Sequence, residues 1–335
     1  MSRTARSQDA GIASQPGSQA DRRVDVISPR WRGQPGRLEV WYVTVSDPTS
    51  HTGFWLHQEL VAPVEGGAFV HGIVTAFPPA GTPVVARYGP EPMPPARPAG
   101  PLPGTAAVVV EPPALRGRAG PIAWDLRLDG TEAPGLFTFP AWAWEREALP
   151  AAQVVPIPSA ACTGSIEVDG KPLELTEDAR GNLAHIYGHG NANRWGWLHA
   201  ELGGGDVLEV VSAVSRRPGL DRMPPLTLVQ LRLGGQDWPR DPLLTAPLFR
   251  ARLGLPSWSV EGTIGRWRLR AEVTLPAAHS VAVQYADPDG ATATCTNSEL
   301  ADADILLERR HGSRWETAGQ WLLRKSAHAE IGTRP

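Results

Sequence analysis

The sequence predicts an antiparallel all-β protein with two domains, and three observations support this. The 335-residue chain contains 35 Gly and 34 Pro, which cut it into short pieces and argue against long helices. Apolar and polar residues alternate in many of these pieces, as they do in strands with one buried face. The motif Trp-Leu-His-x-Glu-Leu occurs at residues 55–60 and again at 197–202, which indicates a repeated β-unit.

Strand-like runs begin at Leu38, after a polar stretch without periodicity. Residues 1–36 are rich in Ser, Gly, Gln and Arg, so we expect a disordered lead-in. The runs 38–45, 54–61 and 68–77 each end in turn residues, and the Pro-rich stretch 88–104 predicts a surface loop. Alternation resumes around Trp124. Residues 37–155 are therefore predicted to form the first β-domain.

A second β-domain is predicted over residues 156–335. The pattern is lost near 150–160 and restarts with the hairpin sequence GSIEVDGKPLEL, which has a central Asp-Gly turn. Further strand-like runs follow at regular spacing, with Gly and Pro between them, as in sandwiches and barrels. The segment 243–252 is the single competitor, because it also fits a short helix.

Composition and missing motifs exclude several function classes. The formal charge of −3 and the lack of a basic stripe argue against nucleic acid as a partner, and no apolar run approaches the ~20 residues of a membrane span. Two cysteines, Cys162 and Cys295, make neither a disulfide framework nor a zinc ligand set. No phosphate-binding loop or nucleophile elbow occurs, so we expect no nucleotide or other cofactor. Without a secretory signal pattern, the expected location is cytoplasmic.

The two Trp-Leu-His motifs have two interpretations. On a strand, Trp55, His57 and Glu59 share one face, and the second copy places Trp195, Trp197, His199 and Glu201 on one face. These faces either line a ligand pocket or form His–Glu pairs that support the fold. The structural interpretation is favoured, because a reaction normally occurs at one place whereas a fold element recurs in every copy.

Residues that differ between the copies are the stronger candidates for chemistry. Aligning Tyr42 with Tyr187 leaves a row of His185, Tyr187 and His189 that is unique to the second copy, and Glu39 with Trp41 unique to the first. Alternation on a strand brings an imidazole and a phenol to one face, where they can serve as acid or base. Glycines around this row argue against a helical metal pair. The alternative is that these histidines lie on a surface loop near a strand end.

Other candidates carry weaker signals. Thirteen Trp residues suit either a core or a ligand pocket. Trp124 and Trp144 could both line a pocket, although such tryptophans more often lie in a core or interface; Trp124 is taken as a candidate for the pocket wall. The polar residues near the C-terminus are expected to face solvent: Asn297, Glu299, His328 and Glu330.

Several of these segments resemble one protein family. GSIEVDGKPLEL followed by GNLAHIYGHGNANRWGWLHAEL resembles the central region of tocopherol cyclase and bacterial carotenoid 1,2-hydratase-like proteins. LEVWYVTVSDPTSHTGFWLHQEL is similar to the N-terminal segment of that family, and YADPDGATATCTNSE and SAHAEIG to its C-terminal strands. The chain has Tyr187-Gly188 where relatives commonly show Trp-Gly. The resemblance implies two tandem lipocalin-like β-barrel or sandwich domains around a hydrophobic pocket, as in lipocalin-type Diels–Alderases, without a redox cofactor.

Resemblance and residues together predict a cofactor-independent cyclase or isomerase acting on a hydrophobic unsaturated metabolite such as a polyketide or terpenoid. Positioning alone supplies roughly 7–11 kcal/mol in such reactions. His185, Tyr187 and His189 are expected to give polar assistance, with Glu39 as their partner. The expected pocket wall comprises Trp41, Trp55, His57, Trp124, Trp195, Trp197 and His199. The alternatives are a non-catalytic carrier of a hydrophobic ligand, a carotenoid-type hydratase and a glycan-binding β-protein.

Overall fold

A computed structural model describes residues 26–93, 102–130, 133–147 and 149–334. Within these residues, an eleven-stranded antiparallel sheet takes up the first part of the chain. Its strands are β1 Arg37–Asp47, β2 Thr52–Ala62, β3 Phe69–Phe77, β4 Val84–Pro92, β5 Val108–Glu111, β6 Ala114–Ala119, β7 Ile122–Asp129, β8 Leu136–Phe137, β9 Ala151–Val168, β10 Lys171–Leu173 and β11 Arg180–Gly188.

The described residues after Gly188 form a second antiparallel sheet, of ten strands. Its strands are β12 Arg194–Gly203, β13 Asp206–Val214, β14 Leu226–Leu233, β15 Gln236–Trp238, β16 Phe249–Arg252, β17 Ser257–Ile264, β18 Trp267–Thr274, β19 Val281–Ala286, β20 Thr292–His311 and β21 Arg314–Thr333. The prediction of an all-β fold is confirmed.

Helices are short and few in the part of the chain that the structure describes. They are α1 Ala141–Glu145, α2 Pro242–Thr245 and the 3₁₀ turns Ala246–Leu248 and Ala277–His279. The ambiguous segment 243–252 therefore divides: it continues α2, passes through a 3₁₀ turn and becomes β16. Asp241 caps α2, because its carboxylate accepts hydrogen bonds from the backbone of Leu243 and Leu244.

The two sheets have the same topology. Along the first, the order is β4-β3-β2-β1-β11-β9-β7-β6-β5, and along the second it is β15-β14-β13-β12-β21-β20-β18-β17-β16. In each sheet an early strand pairs with the last strand, β1 with β11 and β12 with β21. By this order, β12 corresponds to β1, not to β2.

The alignment of the two Trp-Leu-His motifs as equivalent copies is therefore wrong. One motif lies on β2 and the other on β12, which hold different places in the two sheets. The motifs resemble each other because both strands turn their Trp-x-His face toward the space between the sheets. That alignment assigned Glu39 and Trp41 to one copy and His185 and Tyr187 to the other. In the structure they are neighbours in one sheet, since Trp41 pairs directly with His185 and Glu39 with Tyr187.

Alternation along the strands produces three apolar layers. In β1, Trp41 and Val43 face the core of the first sheet, whereas Val40 and Tyr42 face the second sheet. In β12, Leu198 packs inside the second core, while the two tryptophans of the strand face the first sheet. We call the layer between the sheets the inter-sheet layer. Each sheet thus has its own core, and the outer faces of the two central strand pairs pack on each other.

The change of sheet falls at residues 189–193, later than the predicted domain boundary at 155/156. β9 runs through that boundary and pairs with β7 and β11, so the hairpin read as the start of a second domain closes the first sheet. Pro156 and Pro158 obscured this strand in the sequence. They lie in the irregular part of the β9–β11 ladder, where a proline removes no regular hydrogen bond.

The predicted disordered lead-in does not hold for residues 26–36; residues 1–25 lie outside the described part. Trp31 is only 6% exposed, and Val26 and Ile27 pack against the first core. We call residues 26–34 the N-terminal strap. The sequence shows no alternation in this segment, because the strap belongs to neither sheet.

Candidate functional site

A buried Glu39–His185 pair lies under the N-terminal strap. Both side chains are fully buried, and His185 Nε2 is 2.9 Å from Glu39 Oε1. The two residues come from the paired strands β1 and β11, with side chains on the inner face of the sheet. The sequence therefore identified two residues that meet, although it placed them in different domains.

The strap satisfies the other hydrogen-bonding groups of this pair. The backbone N–H groups of Arg30 and Trp31 donate to the Glu39 carboxylate, the latter over 2.9 Å. The Val26 carbonyl lies 2.6 Å from His185 Nδ1. A carbonyl oxygen only accepts, so Nδ1 carries a proton and donates it.

This assignment places one proton of the pair on His185 Nδ1. A hydrogen bond between His185 Nε2 and Glu39 Oε1 would use a second proton, shared between these two atoms. A buried pair of this kind keeps a transferable proton out of water.

Aromatic rings surround the pair. The Trp41 ring stacks on His185 with centroids 4.8 Å apart and an interplanar angle of 17°, and Trp144 meets the imidazole edge-on at 4.9 Å. The guanidinium of Arg30 lies 4.6 Å from the Trp144 centroid. Trp144, from α1, is thus part of this site, whereas the sequence favoured a core or interface position over a pocket.

A small cleft opens beside the pair at the protein surface. It is shallow and is lined by Arg37, Trp144, Glu147, Tyr187 and His189, among others. Burial and the nearby Glu147 raise the pKa of the Tyr187 phenol. His189 lies past the end of β11 and is exposed, and its Nδ1 accepts a hydrogen bond from Arg37 over 3.0 Å. Burial and Arg37 lower the pKa of His189, which favours its neutral form.

The predicted row of His185, Tyr187 and His189 does not share one environment in the structure. His185 and Tyr187 face inward, whereas β11 ends at Gly188 and leaves His189 at the rim. The alternative interpretation, a surface histidine near a strand end, applies to His189.

A second group of buried polar residues lies in the inter-sheet layer. His57 Nε2 and His71 Nε2 are 2.6 Å and 2.7 Å from the two Glu59 oxygens. Burial raises the pKa of the Glu59 carboxyl, but the two histidines outweigh it and bring the pKa down to about 2. Burial also lowers the pKa of His57, against the effect of Glu59. His57 and Glu59 thus form the His–Glu contact expected from the structural interpretation.

The second sheet contributes a similar pair to this layer. His199 and His328 face each other across β12 and β21, and His199 Nδ1 is 2.8 Å from Glu209 Oε2. Burial lowers the pKa of His199, but Glu201 and Glu209 outweigh it and raise the pKa to about 9. Burial lowers the pKa of His328 to about 4. A charged and a neutral imidazole therefore lie side by side, in a shallow depression lined also by Thr44, Asn182 and Ser326.

The C-terminal polar residues are buried, contrary to the expectation that they face solvent. Asn297, Glu299, His328 and Glu330 are at most 3% exposed. Glu299 Oε1 is 2.7 Å from His328 Nδ1, and burial raises the pKa of Glu299 well above its usual value. Burial raises the pKa of Glu330 as well. The sequence signal was present in the spacing Asn297-x-Glu299 and His328-x-Glu330, which puts each pair on one strand face.

The remaining predicted tryptophans are separated from the Glu39–His185 pair. Trp55, Trp195 and Trp197 lie in the inter-sheet layer, where Trp195 Nε1 donates to Glu330 over 2.7 Å. Trp124 belongs to the first core and packs against Phe54, with centroids 5.6 Å apart. The predicted pocket wall is thus distributed over two places, with Trp41 alone beside the pair.

A family model described as tocopherol cyclase-like matches residues 141–333 of the chain. The chain belongs to the tocopherol cyclase-like family. The match covers α1, the end of the first sheet and the whole second sheet, and it leaves Glu39, Trp41 and the strap outside. Family membership supports a cyclase-type function.

Two curated relatives extend the similarity over most of the chain. They are "Uncharacterized protein MT0513" of Mycobacterium tuberculosis strain CDC 1551 / Oshkosh and "Uncharacterized protein Rv0493c" of strain ATCC 25618 / H37Rv. Each is 50% identical over 307 residues, which is 91% of this chain and 89% of the relative.

Two solved structures share the fold. The crystal structure of CghA with Sch210972 superposes with a TM-score of 0.56 and the crystal structure of CghA with 0.55. Both are 13% identical and cover 89% of this chain and 88% of their own. This likeness confirms the predicted lipocalin-like class of two tandem β-units.

The residues that the structure describes contain neither a membrane-spanning helix nor a metal-binding cluster. Among them, no helix is long and apolar enough to cross a membrane. The same residues contain no group of three or more His, Cys, Asp or Glu side chains arranged to hold a metal ion.

Proposed function

We propose that this protein is a cofactor-independent cyclase or isomerase that acts on a hydrophobic unsaturated metabolite, such as a polyketide or terpenoid. The observation that carries the proposal is the buried Glu39–His185 pair, which holds a proton inside an aromatic shell next to a surface cleft. Membership of the tocopherol cyclase-like family supports the reaction type.

The proposed reaction adds a hydroxyl group across an alkene within one molecule. His185 Nδ1 donates its proton to one alkene carbon, whose π electrons form the new C–H bond. The substrate hydroxyl then attacks the other carbon with an oxygen lone pair and closes the ring. The hydroxyl proton returns to the Glu39–His185 pair, so the substrate is isomerised and the enzyme is restored.

Each neighbour of the pair has a role in this scheme. The electron-rich faces of Trp41 and Trp144 stabilise positive charge on the substrate and keep water out. Glu39 balances the imidazolium before the proton is transferred. Tyr187, at the cleft, is placed to donate a hydrogen bond to a substrate oxygen, and its raised pKa keeps the phenol protonated.

The proposal is tested with a substrate that cyclises without a change in mass. Geranyl hydroquinone, which carries a phenolic hydroxyl and alkenes in one molecule, is incubated with the purified protein, and the products are separated by liquid chromatography with mass detection. A new isobaric peak supports a cyclase, and a product heavier by one water supports the hydratase. Binding without any product supports the carrier.

Variants decide whether the pair does the chemistry. His185→Gln keeps a polar side chain but removes the acid, so turnover should fall by about 100-fold or more, as general acids typically contribute. Tyr187→Phe should have a smaller effect, and His311→Gln, at an exposed position, serves as the control. Equal product formation by His185→Gln and the unmodified protein would remove the basis of the proposal.

A further inference from the structure

We propose that the N-terminal strap occupies the substrate position of the first sheet, over the Glu39–His185 pair, and that the ligand which replaces it is a flat, apolar molecule bearing a carbonyl or hydroxyl oxygen. This inference rests on the proposed function, because it concerns the same Glu39–His185 site.

Strap carbonyls mark where ligand oxygen atoms bind. The Val26 carbonyl accepts from His185 Nδ1 at 2.6 Å, and the next carbonyl along the chain, that of Ile27, accepts from Trp41 Nε1 at 2.9 Å. When the strap leaves, both donors are buried without a partner, which is unfavourable. A ligand therefore needs acceptor oxygens at these positions.

The strap also marks where a donor group binds. The Arg30 and Trp31 amides both donate to Glu39, which is 0% exposed. Removing the strap leaves this carboxylate with His185 alone. A hydroxyl on the ligand is the neutral group that donates to Glu39 and also accepts from Trp41.

The apolar part of the strap defines the body of the ligand. Trp31 and Ile27 pack into the first core, beside Trp41 and Trp144. Arg30 covers both the Trp144 ring and the Tyr187 ring, at 4.6 Å and 5.3 Å from their centroids. The strap therefore separates the surface cleft from the buried pair, and a flat unsaturated chain fits the space that Trp31 fills.

The strap is built so that it can leave without opening a sheet. It makes no ladder hydrogen bonds, and β1 begins only at Arg37. Gly33, near the end of the strap, and Gly36, just before β1, have φ of 96° and 65°, and a Cβ added at Gly33 would meet no atom within 4 Å. These positions let the backbone swing at low cost.

Retinol is the test ligand, because it is an apolar conjugated chain with one hydroxyl and its fluorescence rises in apolar surroundings. Its dissociation constant is measured for the unmodified protein and for Trp31→Ala. Loss of the strap anchor should tighten retinol binding by about 10-fold or more. Trp41→Phe keeps a flat ring but loses the N–H donor, so it should weaken binding several-fold.

Controls separate the strap from a general effect of losing a tryptophan. Trp315→Ala, on β21 of the second sheet, should leave retinol binding unchanged. Hydrogen exchange of the Arg30 and Trp31 amides in the unmodified protein should be slow and should accelerate when retinol is added. This readout does not depend on how well the variants fold.

Several results would overturn the inference. These are equal affinity of Trp31→Ala and the unmodified protein, absence of retinol binding by both, or binding that leaves the exchange of the strap amides unchanged. If retinol accelerates hydrogen exchange of the strap amides while His185→Gln retains full turnover, the proposed function fails and the strap inference stands. If His185→Gln abolishes turnover but retinol leaves the exchange of the strap amides unchanged, the proposed function stands and the strap inference fails.

Discussion

Replacing Glu59 by Gln tests how far the inter-sheet layer depends on one buried carboxylate. The Glu59 side chain is 1% exposed, and its oxygens contact His57 and His71 at 2.6 Å and 2.7 Å. Gln has nearly the same shape but no charge. The substitution therefore removes the two charge-assisted contacts while leaving the packing in place.

The size of the effect follows from the pKa of Glu59. Burial raises this pKa, but the two histidines outweigh it and lower the pKa from 4.5 to about 2. At about 1.4 kcal/mol for each pKa unit, the folded state gains about 3 kcal/mol. Because the pKa is lowered on folding, the gain is complete above about pH 4.5 and is lost as the pH falls toward 2.

Urea unfolding at pH 7, 5 and 3 measures the prediction. The free energy of unfolding of Glu59→Gln should be about 3 kcal/mol below that of the unmodified protein at pH 7, and the difference should shrink to about half by pH 3. Glu65→Gln, at an exposed position, is the matched control. A difference that stays constant from pH 7 to pH 3 would refute the reasoning.

Three further predictions concern other buried groups. His199 has its pKa raised to about 9 because Glu201 and Glu209 outweigh burial, so its contribution is complete below about pH 6.5 and lost as the pH rises through 9. In the unmodified protein, the free energy of unfolding should fall between pH 7 and 9.5. This fall should be smaller in His199→Asn and unchanged in the exposed control His311→Asn. An equal fall in His199→Asn and the unmodified protein would contradict the raised pKa of His199. A Cβ at Gly332 would lie 1.9 Å from the Trp195 ring, whereas at Gly67 it meets nothing within 4 Å. Gly332→Ala should lower the unfolding free energy by about 2 kcal/mol or more and Gly67→Ala by much less, as measured in urea; similar values for both would show that the layer repacks. Burial raises the pKa of the Cys162 thiol to about 12 and that of Cys295 well above its usual value. A thiol reagent should label neither cysteine in the native protein and both in guanidinium chloride, and rapid native labelling would contradict their burial.

The strand composition of the fold was predictable from sequence, whereas the division into sheets was not. Alternating runs such as those around Trp41 and Trp124 identify strands locally, since alternation reports one buried face. Which strand joins which sheet depends on pairing between distant segments. β9 illustrates this: its prolines resemble a linker, and only its pairing with β7 and β11 places it inside the first sheet.

Some residues of the candidate site were predictable from the sequence, and others were not. Glu39, Trp41 and His185 are polar or aromatic residues at alternating strand positions, and their selection from sequence brought together three residues that touch. Trp31 was missed, because a single tryptophan in a polar stretch carries no periodicity. The buried state of His328 was also missed, since burial near the end of a chain depends on the strand that covers it.

By itself, the sequence determined the alternation of faces, and with it which side chains of each strand lie together. It also determined the resemblance to the tocopherol cyclase-like family. The tertiary structure decided that β1 pairs with β11, that the two Trp-x-His faces meet in one layer, and that the strap covers the Glu39–His185 pair. The physical reason is that alternation is a property of a single strand, whereas pairing and burial depend on the free energy of contacts between segments far apart in the chain.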